Sequence, residues 1–231
     1  MKIVMVNGQN HKGSTYNIGR MLAGMLGEDN EITEFFLPKD MNHFCVGCYQ
    51  CIDDRTKCPF YKEKSIIIDA MKEAELFIFT TPNYCLGPSG QMKAFLDVMF
   101  DYWMVHRPAE WMFKKKAVVI STTAGAGTSK AIKTVKDSLF YWGVPYIKSY
   151  GISVQAMNWA GVNGEKKEKI TKDMTAIARK IKNMGVPHVG LKTRFLFGML
   201  QKMHKSGWDS SKTEQKYWED KGWLGKERPW N

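Results

Sequence analysis

The chain reads as an α/β protein with one doubly wound, five-stranded parallel sheet, because five short apolar runs alternate with stretches of helical apolar spacing. Two further observations shape that expectation. The loops after the first, third and fourth runs are crowded with glycine, hydroxyl and amide side chains. Past Gly185 the composition changes, and four of the eight tryptophans fall in the last 46 residues. The expected organisation is a domain over 1–185 followed by a helical, Trp-rich C-terminal extension over 186–231.

Lys2–Val6 is a continuous apolar run of the kind a strand buried on both faces requires. Ile18, Met21, Leu22, Met25 and Leu26 then recur three and four apart, which places them on one helix face. Glu31–Phe36, Leu76–Thr80 and Ala117–Ser121 predict the second, third and fourth strands, and a fifth runs through Pro145 to Ile152. Helices are expected around Met92, Phe95, Leu96 and Met99, around Ile132, Val135 and Leu139, and around Ile170, Met174, Ile177 and Ile181.

In open parallel sheets, ligands bind beyond the carboxyl ends of the strands, where the strand order reverses. The loops at those ends are therefore the candidate site. The first contains Gln9, His11, Gly13, Ser14, Thr15 and Tyr16, and its small and polar residues just before a helix predict backbone N–H donors aimed at a phosphate. Residues 8–15 nearly form a triphosphate-binding loop, but Ser14 stands where that motif needs lysine, and no G-x-G-x-x-G follows the strand. A monophosphate such as that of FMN fits better; an ordinary helix cap by Ser14 or Thr15 is the alternative.

The second loop, Thr80–Gly90, sets Pro82 and Gly87 around a turn that carries Asn83, Tyr84 and Cys85. Tyr84 offers an aromatic face to a flat heterocycle. The third loop carries Thr122, Thr123, Ala124, Gly125 and Gly127, whose small side chains let a planar ligand approach the backbone.

Cys45, Cys48, Cys51 and Cys58 fall within fourteen residues, and the only other cysteine is Cys85. Overlapping C-x2-C steps place three soft thiolates on one tight turn, and the gap to Cys58 lets a fourth return, which suits a [4Fe-4S] cubane. Zinc, a disulfide and free redox-active thiols are the alternatives. Zinc sites made of four cysteines usually draw paired knuckles from separate segments. Disulfides belong with oxidising compartments, of which the chain carries no signal-peptide pattern, so a cytoplasmic protein is expected.

The chain has 231 residues, is 44% hydrophobic and contains no apolar run of membrane-spanning length. Its formal net charge of +11 is spread over many segments, which favours attraction of anionic cofactors or acidic redox partners over nucleic-acid binding.

Pro82-Asn83-Tyr84, with Ser89-Gly90-Gln91-Met92-Lys93-Ala94-Phe95-Leu96-Asp97, resembles the second loop of the flavodoxin-like NAD(P)H-dependent FMN reductases. Gly8–Thr15 is similar to that family's phosphate loop, with His11 at the place of its usual arginine, and the cysteine run resembles that of the iron–sulfur flavoprotein branch. The resemblance spans roughly residues 1–155. It implies the strand order 2-1-3-4-5, FMN on all three loops, a [4Fe-4S] cluster on the four cysteines, and NAD(P)H as a transient donor. In that strand order the cysteine loop leaves the sheet at the same edge as the flavin loops.

The expected function is that of an FMN-dependent oxidoreductase passing electrons between NAD(P)H or a ferredoxin-like donor and a small-molecule or protein acceptor. A cluster-free NAD(P)H:FMN or quinone reductase, a non-enzymatic flavodoxin-like carrier and a basic nucleic-acid-binding module are the rivals. A homo-oligomer, dimer or tetramer, is also expected. The C-terminal extension, with its basic amphipathic segment Leu191–Met203, either wraps a neighbouring subunit or packs on its own domain; a helix lying on a membrane surface is a third reading. His106 lines the flavin pocket or a subunit contact, or is structural, and His43 is a candidate ligand, or support for the ligands, at the cysteine site.

Overall fold

The structure, a computed structural model, describes residues 1–209 and 211–231. Strands β1 (Lys2–Asn7), β2 (Glu31–Phe36), β3 (Leu76–Pro82), β4 (Lys116–Thr123) and β5 (Tyr146–Ser153) form one sheet in the order β2-β1-β3-β4-β5, every pairing parallel. This is the flavodoxin-like arrangement. The order reverses at β1, which lies between β2 and β3 with Val6 level with both Phe35 and Phe79.

Period-two alternation sends each strand's side chains to two cores. Val4, Val6, Phe77, Phe79, Ala117 and Val119 face α3 (Tyr61–Glu73), α4 (Gly90–Val98) and α5 (Thr128–Tyr141), where Trp142 is also buried. Ile3, Met5, Leu76, Ile78, Val118 and Ile120 face α1 (Ser14–Met25) and α6 (Gly164–Lys182). A four-residue helix, α2 (Gln50–Asp53), lies within the cysteine segment.

Helix α3 had no counterpart in the sequence reading. Its Ile66-Ile67-Ile68 run breaks the apolar spacing of a helix, and the structure resolves the three by burying Ile67 and Ile68 and leaving Ile66 exposed.

The C-terminal helices α7 (Leu191–Lys205) and α8 (Lys212–Asp220) pack on their own chain. Phe197, Leu200, Trp218 and Trp223 form a third cluster with Met104 and Phe113 of the sheet domain. Trp218 Nε1 donates to His106 O at 2.7 Å, and Tyr217 Oη donates to Pro108 O at 2.6 Å. These rings are therefore covered without a neighbouring subunit, while Trp208 stays exposed. His106 is held here too, its Nδ1 2.7 Å from the Glu214 carboxylate, and it does not line the cleft described below. Among the described residues, no helix is long and apolar enough to cross a membrane.

Trp218 stacks on Phe197 and His204 and meets Trp223 edge-on. Trp218→Ala is expected to cost about 3–5 kcal/mol, the range for deleting a buried tryptophan, measured as a lowered denaturant midpoint of the full chain.

Candidate functional site

A cleft of about 340 Å³ opens at the carboxyl ends of β1, β3 and β4. Gln9, His11, Gly13, Ser14, Thr15 and Tyr16 line it from the first loop, Pro82, Asn83 and Tyr84 from the second, and Thr122, Thr123 and Ala124 from the third. Cys85, Gly87, Gly125 and Gly127, also expected at the site, do not line it. The sequence reading missed Asn7, Thr80, Val154, Ala156 and Met157. Asn7 and Thr80 were signalled by being polar residues that close apolar strands. The last three follow β5, whose loop belongs to the same sheet edge.

Asn7 holds the strand ends together. Nearly inaccessible, it donates from Nδ2 to Phe35 O on β2 at 3.1 Å and accepts at Oδ1 from Thr80 Oγ1 on β3 at 2.8 Å. One side chain thus ties three strands where the order reverses.

Helix α1 begins at this point without a cap. Gly13 supplies no side chain to the first-turn N–H groups, and no acid lies in that turn, whereas α4 and α6 are capped by Ser89 and Asn163. The free N–H groups and the positive end of the helix dipole at a cleft lined by Ser14 and Thr15 suit an anion. A Cβ at Gly13 would lie 2.9 Å from Nε2 of the exposed His11 side chain, which can swing aside. The Thr15 and Thr122 hydroxyls are 2.5 Å apart, which joins the first loop to the third.

The second loop is an architectural clamp. Ser89 Oγ caps α4 by accepting from Met92 N at 3.3 Å and donates to Gly8 O at 2.6 Å, so the Ser-Gly-Gln motif ties the second loop to the first. Asn83 N donates to Thr122 O at 2.9 Å, and Asn83 Nδ2 donates to Ala126 O at 3.1 Å, which ties the second loop to the third. Tyr84 and Gly87 exchange backbone bonds around Cys85 and Leu86, which have φ of 49° and 63°. Two left-handed central residues make a primed hairpin turn, and a non-glycine residue in that region costs about 1–2 kcal/mol. Leu86 packs against Gly127, where φ is +100° and a Cβ would lie 2.4 Å from Leu86 Cδ2. Cys85, Gly87 and Gly127 therefore shape the wall instead of lining it.

The four clustered cysteines line a separate apolar recess of about 10 Å³ with Tyr49, Phe60, Val98 and Phe100. Cys45 and Cys48 are exposed, Cys51 is buried and Cys58 lies between these extremes. Among the described residues, no group of three or more His, Cys, Asp or Glu stands ready to hold a metal ion. The donor set is right for a soft metal group, but the recess admits about one water, so a cluster requires the exposed Cys45–Cys48 side to open. His43 stacks on Phe60 at 4.5 Å and does not line the recess. Burial pushes the Cys51 thiol up to about 11, with the Asp101 carboxylate adding to the shift and Lys64 opposing it.

The cysteine segment leaves β2 at the cleft edge, as expected, but it does not stay there. Helix α4 runs from Ser89 beside the cleft to Val98 at the recess, and nine residues at 1.5 Å rise separate the two ends by about 13 Å.

A family described as NADPH-dependent FMN reductase matches residues 1–158. An iron–sulfur flavoprotein of Methanocaldococcus jannaschii is 32% identical over 100 residues, 42% of this chain and 51% of that protein, so the match spans about half the relative's length. Among solved structures, an FMN-dependent NADH-azoreductase from Bacillus anthracis superposes with a TM-score of 0.61 at 11% identity, covering 79% of this chain and 100% of that one. A flavoenzyme NAD(P)H:(acceptor) oxidoreductase from Paracoccus denitrificans gives 0.54 at 17% identity, covering 80% and 99%. At these identities the two structures speak to the fold.

A thiol titrating near 11 is about one-thousandth ionised at pH 8, and the thiolate is the nucleophile. In metal-free protein, limiting iodoacetamide is expected to label Cys45, Cys48 and Cys85 first and Cys51 last, read by peptide mass spectrometry. Labelling of Cys51 as fast as the exposed thiols would contradict its burial.

Proposed function

The chain belongs to the NADPH-dependent FMN reductase family, and from that premise we propose that it is an FMN-dependent oxidoreductase taking electrons from NAD(P)H or a ferredoxin-like donor. The acceptor is a small molecule or a redox protein. One observation carries the reading: a single cleft gathers three loops over the uncapped start of α1. When bound, FMN supplies the conversion between two-electron and one-electron transfer.

The residues present fit that cofactor. The first-turn N–H groups of α1, with the Ser14 and Thr15 side chains, would hold the phosphate. Tyr84 and the small residues Thr122, Thr123 and Ala124 would border the flat ring, and Asn83 carries a buried Oδ1 with no partner among the described residues, an acceptor suited to an imide N–H. Cys85, Gly87, Gly125 and Gly127 contribute by holding the loops at their spacing. Met157, 96% exposed, stands at the cleft with no cover, where a transient NAD(P)H donor has room to approach. No general acid or base is assigned, because positioning and electrostatics are the protein's task in flavin chemistry.

The recess of Cys45, Cys48, Cys51 and Cys58 is proposed as the seat of a [4Fe-4S] cluster. The spacing of the four cysteines, all of which line that recess, and the partial likeness to an iron–sulfur flavoprotein support it, and seating the cluster requires the recess to open. Assembly into a dimer or tetramer is part of the same proposal. Leu191, Phe195 and Met199 form an exposed apolar stripe on α7 available for that contact.

Protein purified without oxygen is expected to carry FMN and to oxidise NAD(P)H rapidly and saturably. A folded protein that neither retains nor rebinds FMN would overturn the reading. FMN binding without NAD(P)H turnover would favour the electron carrier, and flavin without iron or sulfide would favour the cluster-free reductase.

Ser14→Ala removes one hydrogen bond to a charged phosphate, worth about 1.5–3 kcal/mol. The FMN dissociation constant is expected to rise by roughly 10- to 150-fold, measured by flavin fluorescence quenching.

A further inference from the structure

Helix α7 presents a row of large apolar side chains to solvent. Leu191, Phe195 and Met199 are spaced four apart, so they share one face, and they are 85%, 77% and 45% exposed. The opposite face is fixed, because Phe197 and Leu200 are buried and His204 stacks on Trp218 at 4.1 Å. The helix therefore cannot roll to hide the row. Trp208, which follows the helix, adds another exposed ring.

Cations frame the row. At 3.6 residues per turn, Lys202 falls within the arc of the three apolar residues, Lys192 at one margin, and Arg194 and Lys205 at the other. All four are exposed. Lys192 Nζ lies 4.8 Å from the centre of the Phe140 ring, and Arg194 Nε donates to Val189 O at 3.1 Å, so both stems rest on the protein. No acid opposes them, since residues 174–208 contain seven Lys and Arg, all exposed, and no Asp or Glu.

A second copy of this chain and a lipid bilayer compete for this row, and charge decides between them. Two α7 faces meeting about a two-fold axis would set each basic margin against another, and like charges oppose that contact. A bilayer with anionic headgroups attracts the same cations and takes the exposed apolar side chains into the boundary between headgroups and acyl chains.

We infer that α7 is a docking face for a bilayer surface containing anionic phospholipid. Leu191, Phe195 and Met199 enter the interface, and Lys192, Arg194, Lys202 and Lys205 meet the headgroup phosphates. Helix α7 packs on Phe113, just before β4 begins, so the bilayer meets the molecule towards the amino ends of the strands. The cleft, at their carboxyl ends, stays open to the aqueous side.

The test sediments the full chain with vesicles of phosphatidylcholine alone, and with vesicles of phosphatidylcholine and phosphatidylglycerol in equal parts. Binding is expected only to the anionic vesicles, weakening as salt rises. Lys202→Gln combined with Lys205→Gln is expected to weaken it roughly 30-fold, about fivefold for each cation. Phe195→Ser is expected to weaken it roughly tenfold, while Lys133→Gln, an exposed change on α5, binds like the parent. All these side chains are exposed, so the denaturant midpoint stays at the parent's value. Failure to bind the anionic vesicles, equal binding to the neutral ones, parent-like binding by either α7 variant, or a comparable loss in Lys133→Gln overturns the inference. So does a parent oligomer that Phe195→Ser splits into monomers, because a second copy would then cover the row.

Discussion

Asn7 is the constraint from which the rest follows. Its side chain bonds to β2 through Phe35 O and to β3 through Thr80 Oγ1, at the one place where consecutive strands part to opposite sides of β1. A buried amide at a strand end needs such partners, because leaving either end unpaired costs about 1–3 kcal/mol. Once the three strand ends are level, their loops must leave the sheet side by side. The remaining ties, Ser89 to Gly8, Thr15 to Thr122 and Asn83 to Ala126, close them around one cleft.

The parts of this design visible in the sequence are those with a strong local signal. Parallel strands buried on both faces read as unbroken apolar runs, which made β1, β3 and β4 legible, whereas the partly exposed edge strands β2 and β5 mix polar and apolar residues and were found by length and flanking turns, with β2 bounded at Glu31 and Phe36. The cleft was legible because the switch-point rule assigns chemistry to the loops after β1, β3 and β4. It failed where role and lining diverge. Gly127 looks like a site residue from its position, but it does not line the cleft, and what calls for glycine there is its φ of +100°. The motif of Ser89 and Phe95 proves to be a helix cap and a core position. Helix α3 was hidden by three consecutive isoleucines, and the destination of the tryptophan-rich extension was hidden because composition reports a need for burial without naming the surface that meets it.

The cysteine segment shows the same limit more sharply. Spacing alone brings four thiols to one place, and the structure lines one recess with them. Spacing cannot say that this recess lies at the far end of α4 from the cleft, nor that Asp101, Lys64, Arg55 and Arg107 lie beneath it, since these come from three separate stretches of chain. Helix α8 reaches the same region, where Trp218 bonds to His106 O and Glu214 to His106. The C-terminal extension thereby buttresses the floor of the recess.

The central claim is that the uncapped start of α1 is a phosphate site within a flavin cleft. It is tested most directly by titrating flavin-free protein with FMN and with riboflavin, which differ only in the phosphate. The account predicts one FMN per chain, bound at least a hundredfold more tightly than riboflavin, a difference of about 2.7 kcal/mol, with the preference weakening as salt rises. Equal affinity for the two flavins would contradict it, because the first loop would then be no more than the turn that starts a helix.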